Sequence, residues 1–367
     1  MMVVDDRLLA PANNNLTLVR LALASAVIWT HSVWRVSGRQ GADELAAWLG
    51  APVSQFAVDG FFFLSGMLVY ASLLRRGSVR DFALARLARL WPALFVSVTA
   101  TVAVGAFVTQ AAGPAYLAGP TARFLLGNLS LTQGSYSLTG VMCGDALCNV
   151  NGSLWTITWE VRCYALLAAL LATGLASPTL MKRVVLPATL VFAVAMHIPP
   201  VPQTIARVGG AGLLWNLEMI DRLWSMFALG IAAHLWRDRI RLSWGVCAAL
   251  LAATMASARW LPVPHLSGLF IAYAVLCAGF LSARGGAISG RWPDYSYGMY
   301  IYAFPVMMAV AALVPVTHHW QLATLNLLLT LPLAALSWHF VEKPVLDLVR
   351  RRSRGRQPIP VATATGI

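Results

Sequence analysis

An arginine and a histidine share one apolar stretch near the start of the chain, NNLTLVRLALASAVIWTHSVWRV from Asn14 to Val36. Arg20 and His31 lie eleven residues apart. On a helix of 3.6 residues per turn that is about three turns, so both side chains point the same way, roughly 16 Å apart along the axis. Ionisable groups inside a bilayer are costly and are functional candidates by default. An imidazole titrates near working pH and suits a general base, while a guanidinium suits an anionic ligand. The bland alternative is an arginine that snorkels to the interface and a histidine hydrogen-bonded between helices.

Two further stretches carry candidate chemistry. In VDGFFFLSGMLVY, from Val58 to Tyr70, Asp59 stands near the end of an apolar run and Ser65-Gly66 within it. A small pair there lets a helix or a ligand approach closely, and Asp59 could cap the helix. In NGSLWTITWEVRCY, from Asn151 to Tyr164, Glu160 lies too deep in an apolar run for a free carboxylate. It could orient an imidazole, contact a hydroxyl substrate, or pair with Arg20 or Arg162. Tyr164 is one helical turn beyond it. Glu218 and Arg222 can pair at i, i+4 beside Asp221, as a self-neutralised patch that could border an acceptor site. His197, His265, His318 and His319 fall between apolar runs, with no second shell to name, so no metal site is expected.

These residues must be positioned by membrane helices. The chain has 367 residues, 59% hydrophobic and only 11% charged, where a soluble domain carries about 25% charged residues. Apolar runs near the ~20 residues of a span fall at 16–36, 54–74, 91–111, 153–175, 184–199, 212–235, 243–258, 266–283, 296–315 and 321–341. Ten spans are expected, in an all-α polytopic membrane protein. The net charge of +13 fits this without nucleic acid. With a cytoplasmic N-terminus, most of the 27 basic residues fall on inside segments, so both termini are expected in the cytoplasm. Residues 1–15 form a short cytoplasmic segment, 16–346 the membrane domain, and 347–367 a basic, disordered cytoplasmic tail that would hug anionic lipid.

Between the spans, Arg75 to Pro92 reads as a basic cytoplasmic loop with helical periodicity, Arg86 and Arg89 sharing a face. The outer loop from about 112 to 152 holds Cys143 and Cys148, which outside the cell could close a disulfide or remain two thiols. The first apolar run is too long for a cleavable leader. No internal repeat is visible, which weakens a transporter reading.

In order along the chain, six patterns resemble the acyltransferase-3 family of bacterial integral membrane acyltransferases. They are Arg20 with His31; Asp59-Gly60-Phe61-Phe62-Phe63-Leu64-Ser65-Gly66; Arg86, Arg89 and Pro92; Ser153 to Glu160 with Tyr164; Ser296, Tyr297 and Tyr300; and Val341-Glu342-Lys343-Pro344. Cys163 and Lys343 depart from residues usual in the family, at positions away from the expected chemistry. The resemblance implies an enzyme of the bacterial inner membrane that moves an acyl group, typically acetyl, from cytoplasmic acyl-CoA to a hydroxyl of a surface or exported carbohydrate. It implies no bound cofactor, acyl-CoA being a co-substrate. On this reading Arg20, Arg86 and Arg89 receive the coenzyme A phosphates, His31 is the base, and Glu160 orients it or charges it. Asp59, Ser65 and Tyr164 support the site. The rival is a transporter or flippase of a lipid-linked sugar, which leaves His31 and Glu160 without a purpose.

Overall fold

The computed structural model describes residues 2–4, 7–39, 41, 43–111, 113–132, 134–141 and 149–354. Cys143, Cys148 and the last thirteen residues lie outside them. The described chain is almost wholly helical. Eight of its helices are long and apolar enough to cross a membrane, making this a multi-pass membrane protein. The helices that build the site are α1 (Leu16–Ser37), α2 (Val53–Arg76), α3 (Val79–Val108), α4 (Pro120–Leu129) and α5 (Trp155–Ala172). There follow α6 (Pro178–Met196), α7 (Pro200–Met219), α8 (Ser225–Leu235), α9 (Trp244–Arg259) and α10 (Leu266–Phe280). The last are α11 (Ser296–Leu313), α12 (His319–Ser337) and α13 (Lys343–Arg354).

Each expected span is occupied by helix. Two of the ten fall short of the eight long ones. The segment at 212–235 is divided between α7 and α8 by a wide turn over Ile220–Trp224, and α7 is itself kinked at Gly210. Helix α9 has 16 residues.

Two expectations are corrected. The basic stretch from Arg75 to Pro92 is not a loop. After a tight turn at Gly77, where φ is 64°, Ser78 Oγ accepts the Asp81 amide at 3.4 Å and α3 runs unbroken for 30 residues. Its Ala, Leu and Arg content favours helix, and Pro92 removes a single backbone donor without ending it. Nor does the helical structure end at 346: a wide turn over Trp338–Glu342 leads into α13, which packs against α3.

Helix α2 is the hub. Most of its surface is buried, against α1, α8 and α10. Its closest neighbour is α8, and glycines permit the approach: a Cβ on Gly66 would overlap the Phe227 carbonyl, and one on Gly230 the Phe63 carbonyl. Gly66 is therefore a packing notch, as small residues at membrane helix contacts usually are.

The start of α1 is pinned by Asn15. Its Oδ1 accepts the amides of Ile288 and Ser289 at 2.7 and 3.1 Å, and its Nδ2 donates to Ser282 Oγ at 2.9 Å. A short antiparallel pair, β1 (Met2–Val3) with β2 (Arg241–Leu242), holds the N-terminus at the same end as these loops and α13. At the opposite end, Asp43 Oδ2 accepts Thr30 Oγ1 and the Val53 amide, both at 2.7 Å. The connection to α2 thus closes over the far half of α1.

Because the obstacle at both notches is backbone, which cannot yield as a side chain can, Gly66→Ala and Gly230→Ala are each expected to cost several kcal/mol, at the upper end of about 1–3 kcal/mol for overpacking or beyond it. Thermal unfolding in detergent measures the loss, with Gly285→Ala, where a Cβ meets nothing, near wild type.

Candidate active site

Arg20 sits in the second turn of α1, at the end of the bundle that carries both described chain ends. It meets a carboxylate that sequence reasoning did not single out. Asp294, just ahead of α11, takes Arg20 Nη1 and Arg89 Nη2 on one oxygen, each at 3.0 Å. Its other oxygen accepts the Ser296 hydroxyl and amide. Arg89 also reaches Glu342 Oε2 at 3.0 Å, and Glu342 Oε1 accepts Ser337 Oγ. The Arg89 guanidinium lies over the rings of Tyr297 and Trp338, at 5.5 and 5.7 Å. Burial alone would raise the Asp294 carboxyl; the guanidiniums of Arg20 and Arg89 and the two Ser296 donors outweigh it and hold the group at about 2.

Arg86, one helical turn before Arg89, is differently placed. Its guanidinium lies 5.8 Å from the centre of the Tyr164 ring, and its buried Nε makes no hydrogen bond among the described residues. The three arginines expected to act alike therefore divide. Arg89 is locked between two carboxylates, Arg20 holds one of those, and Arg86 forms no ion pair with a carboxylate among the described residues.

All three line one cavity of about 170 Å³. Deeper in it are Ser65 from α2 and Glu160 and Tyr164 from α5. Glu160 Oε1 accepts Ser65 Oγ at 3.0 Å and, in a very short contact, the Tyr164 hydroxyl. Three residues expected to support one site thus meet at one oxygen. One turn on, Thr156 Oγ1 and the Tyr300 hydroxyl are 2.7 Å apart. Tyr300 packs edge-on against Phe61 at 5.9 Å, at the cavity's inner end.

His31 lies past that aromatic layer. Its ring packs edge-on against Phe304, 5.2 Å away and one turn beyond Tyr300 on α11, and against Trp34 at 6.5 Å. It does not line the cavity. Among the described residues no hydrogen bond joins Glu160 to His31: Oε1 of Glu160 accepts from Ser65 and Tyr164, while His31 packs against Phe304 and Trp34. Glu160 pairs with neither Arg20 nor Arg162: Arg162 stacks on Trp159 at 4.2 Å and donates to Asn216. Asp59 is not a cap but a buried group of the second turn of α2, held by Arg222 Nε at 2.9 Å. That contact also replaces the expected Glu218–Arg222 pair, because burial makes the cross-helix carboxylate the one that needs a partner.

The chain has relatives among known proteins. Residues 13–339 match the family described as an acyltransferase domain. The chain belongs to the acyltransferase-3 family. It is 27% identical to nodulation protein 10 of Rhizobium leguminosarum bv. viciae, over 91% of this chain and 94% of that protein. It is 26% identical to an O-acetyl transferase of Shigella phage Sf6, over 79% of this chain and 84% of that one. No solved structure matches. This membrane acyltransferase therefore transfers groups other than aminoacyl groups. Of the family patterns, those at Arg89 and Val341-Glu342 turn out to be two ends of one ion pair.

Arg89→Ala leaves Asp294 short of a cation and Glu342 buried without one, and is expected to cost about 3–5 kcal/mol of stability. Arg86→Ala breaks no ion pair among the described residues and is expected to leave thermal stability near wild type; if Arg86 receives an anionic ligand, the variant weakens that binding instead. Unfolding midpoints and donor binding, compared between the two variants, check the division. The Asp294 carboxyl is depressed on folding, so its stabilisation is complete above about pH 4, the ordinary range of an aspartate. It is lost only as the pH falls toward 2. Asp294→Asn is therefore expected to lower the unfolding midpoint by the same amount at neutral and at mildly alkaline pH.

Proposed function

We propose that this acyltransferase carries an acyl group, acetyl above all, from acyl-CoA on the cytoplasmic side to a hydroxyl of an exported or cell-surface carbohydrate. It would do so in a bacterial inner membrane, through ten spans with both termini in the cytoplasm. The observation that carries this reading is the charge of the cavity mouth: Arg86, without a carboxylate partner among the described residues, and Arg20 line one end of a cavity whose walls also hold Ser65, Glu160 and Tyr164. The excess of basic residues on alternate segments supports the mouth as the cytoplasmic end. The O-acetyl transferase relative supports acetyl as the group.

Coenzyme A phosphates would sit at Arg86 and Arg20, and the pantetheine arm would run up the cavity past the Ser65 and Tyr164 hydroxyls. Glu160, holding both hydroxyls on one oxygen, is a positioning residue for that arm. His31 takes the proton from the acceptor hydroxyl as its oxygen attacks the thioester carbonyl. The carbon–sulfur bond breaks, and the coenzyme A thiolate takes up the proton from the imidazolium. For donor and base to meet, the Phe61 and Tyr300 rings must part, so this aromatic layer would also bar water from the thioester until the acceptor is in place.

His31→Ala is expected to lower kcat by about 10²–10⁴-fold, the usual worth of general base catalysis, while acyl-CoA binding is retained. Purified protein in nanodiscs, labelled acetyl-CoA and an oligosaccharide acceptor give the rate. Persistence of acetylation in a folded His31→Ala protein would overturn the proposed base. Comparing surface glycans of the deletion strain by mass spectrometry identifies the acceptor by its lost acyl mass.

A further inference from the structure

At the end of the bundle opposite the arginine mouth, three residues far apart in sequence converge. His197 directly follows α6, Asp221 lies in the wide turn between α7 and α8, and His265 caps α10. One ligand atom from each lies within 4.8 Å of the other two. The two imidazoles pack edge-on at 5.0 Å. His265 holds a left-handed backbone, φ 58°, rare for a residue with a side chain.

The polar atoms facing each other are unmatched. Asp221 is only 7% exposed. Its Oδ1 lies 3.3 Å from His265 Nε2, and neither of these buried atoms has another partner among the described residues. Oδ2 lies 3.8 Å from His197 Nδ1. Either a proton on Nε2 or a metal cation must lie between these two atoms. The neighbouring Arg222 does not serve, since it points to Asp59 and to the Gln55 carbonyl. Asp59 cancels the charge of Arg222, so the charge of Asp221 is left for another cation.

We propose that His197, Asp221 and His265 form a binding site for one divalent transition-metal ion of the zinc class. Two imidazoles and a carboxylate are ligands such an ion takes, with water at the fourth position, and both histidines are partly open to solvent. Around an ion with bonds of about 2.0–2.1 Å, tetrahedral ligand atoms stand roughly 3.4 Å apart. The His265–Asp221 pair, at 3.3 Å, already has about that spacing. The Ala193 carbonyl, 2.9 Å from His197 Nδ1, is the kind of outer partner that fixes the tautomer of a ligating histidine; Nδ1 is the nitrogen nearer Asp221, so a turn of the ring would present Nε2 to the ion. The ion would staple α6, the α7–α8 turn and α10. Through the adjacent Arg222 it would steady α2, which carries Ser65.

The test uses the full chain in detergent, stripped with a chelator and desalted, then loaded with Zn²⁺ or, as a spectroscopic probe, Co²⁺. The expected result is about one zinc retained per chain, an intense visible Co²⁺ band of four-coordinate type, and a rise in unfolding midpoint on zinc addition. His265→Gln and Asp221→Asn should each weaken binding by more than the about 10–100-fold that loss of an outer partner costs. His318→Ala, on another surface loop, should not. If a variant fails to fold, the Co²⁺ band and stoichiometry of the wild-type protein still decide. The proposal is overturned if stripped wild type retains no zinc, or if zinc is retained equally by both ligand variants; a proton on His265 then fills the gap.

Discussion

Holding four charges, one fully and three partly buried, at one end of an apolar bundle constrains everything around them. Arg20, Asp294, Arg89 and Glu342 form a continuous chain of contacts at 3.0 Å, joining α1, the approach to α11, α3 and the turn before α13. Charged groups at membrane depth persist where they face a bundle interior and pair with one another. Removing Arg89 leaves Glu342 without a cation, and removing Asp294 leaves Arg20 without a carboxylate, which costs more than the pair contributes. The chain of ions therefore fixes how four segments meet, and the cavity is the space they enclose. Arg86 is the one arginine of the mouth left over by this pairing, which is why ligand recognition is placed on it.

Much of the architecture was legible because membrane spans announce themselves by length and apolarity. All ten expected segments are helical. The boundaries that failed did so where polar sequence continues a helix past the apolar region, as in the first turns of α3 and in α13. Hydropathy sees the membrane core and not the helix, and Arg-rich turns with good helix formers read as loops. Gly66 was legible as a packing notch in kind, but not its partner Gly230, because helix pairing across 164 positions leaves no local trace.

The site was legible in part for a similar reason. Residues within one helix face could be grouped, so Glu160 with Tyr164, and Arg86 with Arg89, stand together as expected. Ser65 joins them from α2. What spacing cannot supply is the partner from another helix. Asp294 sits ahead of the Ser296-Tyr297 pattern and reads as an ordinary helix-start acid, while its role comes from Arg20, 274 positions away. The same blindness paired Arg222 with Glu218 instead of Asp59, and joined Glu160 to His31 through a layer of Phe61, Tyr300 and Phe304 that only the packing discloses.

That layer gives the account its shape: a donor side, an aromatic partition, and a histidine on the acceptor side. Sided transfer is its central claim. Proteoliposomes with the protein in one orientation, labelled acetyl-CoA on the Arg86 side and acceptor glycan on the His31 side, test it most directly. The account predicts label on the acceptor across the bilayer, and none when acetyl-CoA is supplied only on the His31 side. Transfer that requires donor and acceptor on the same side would contradict it.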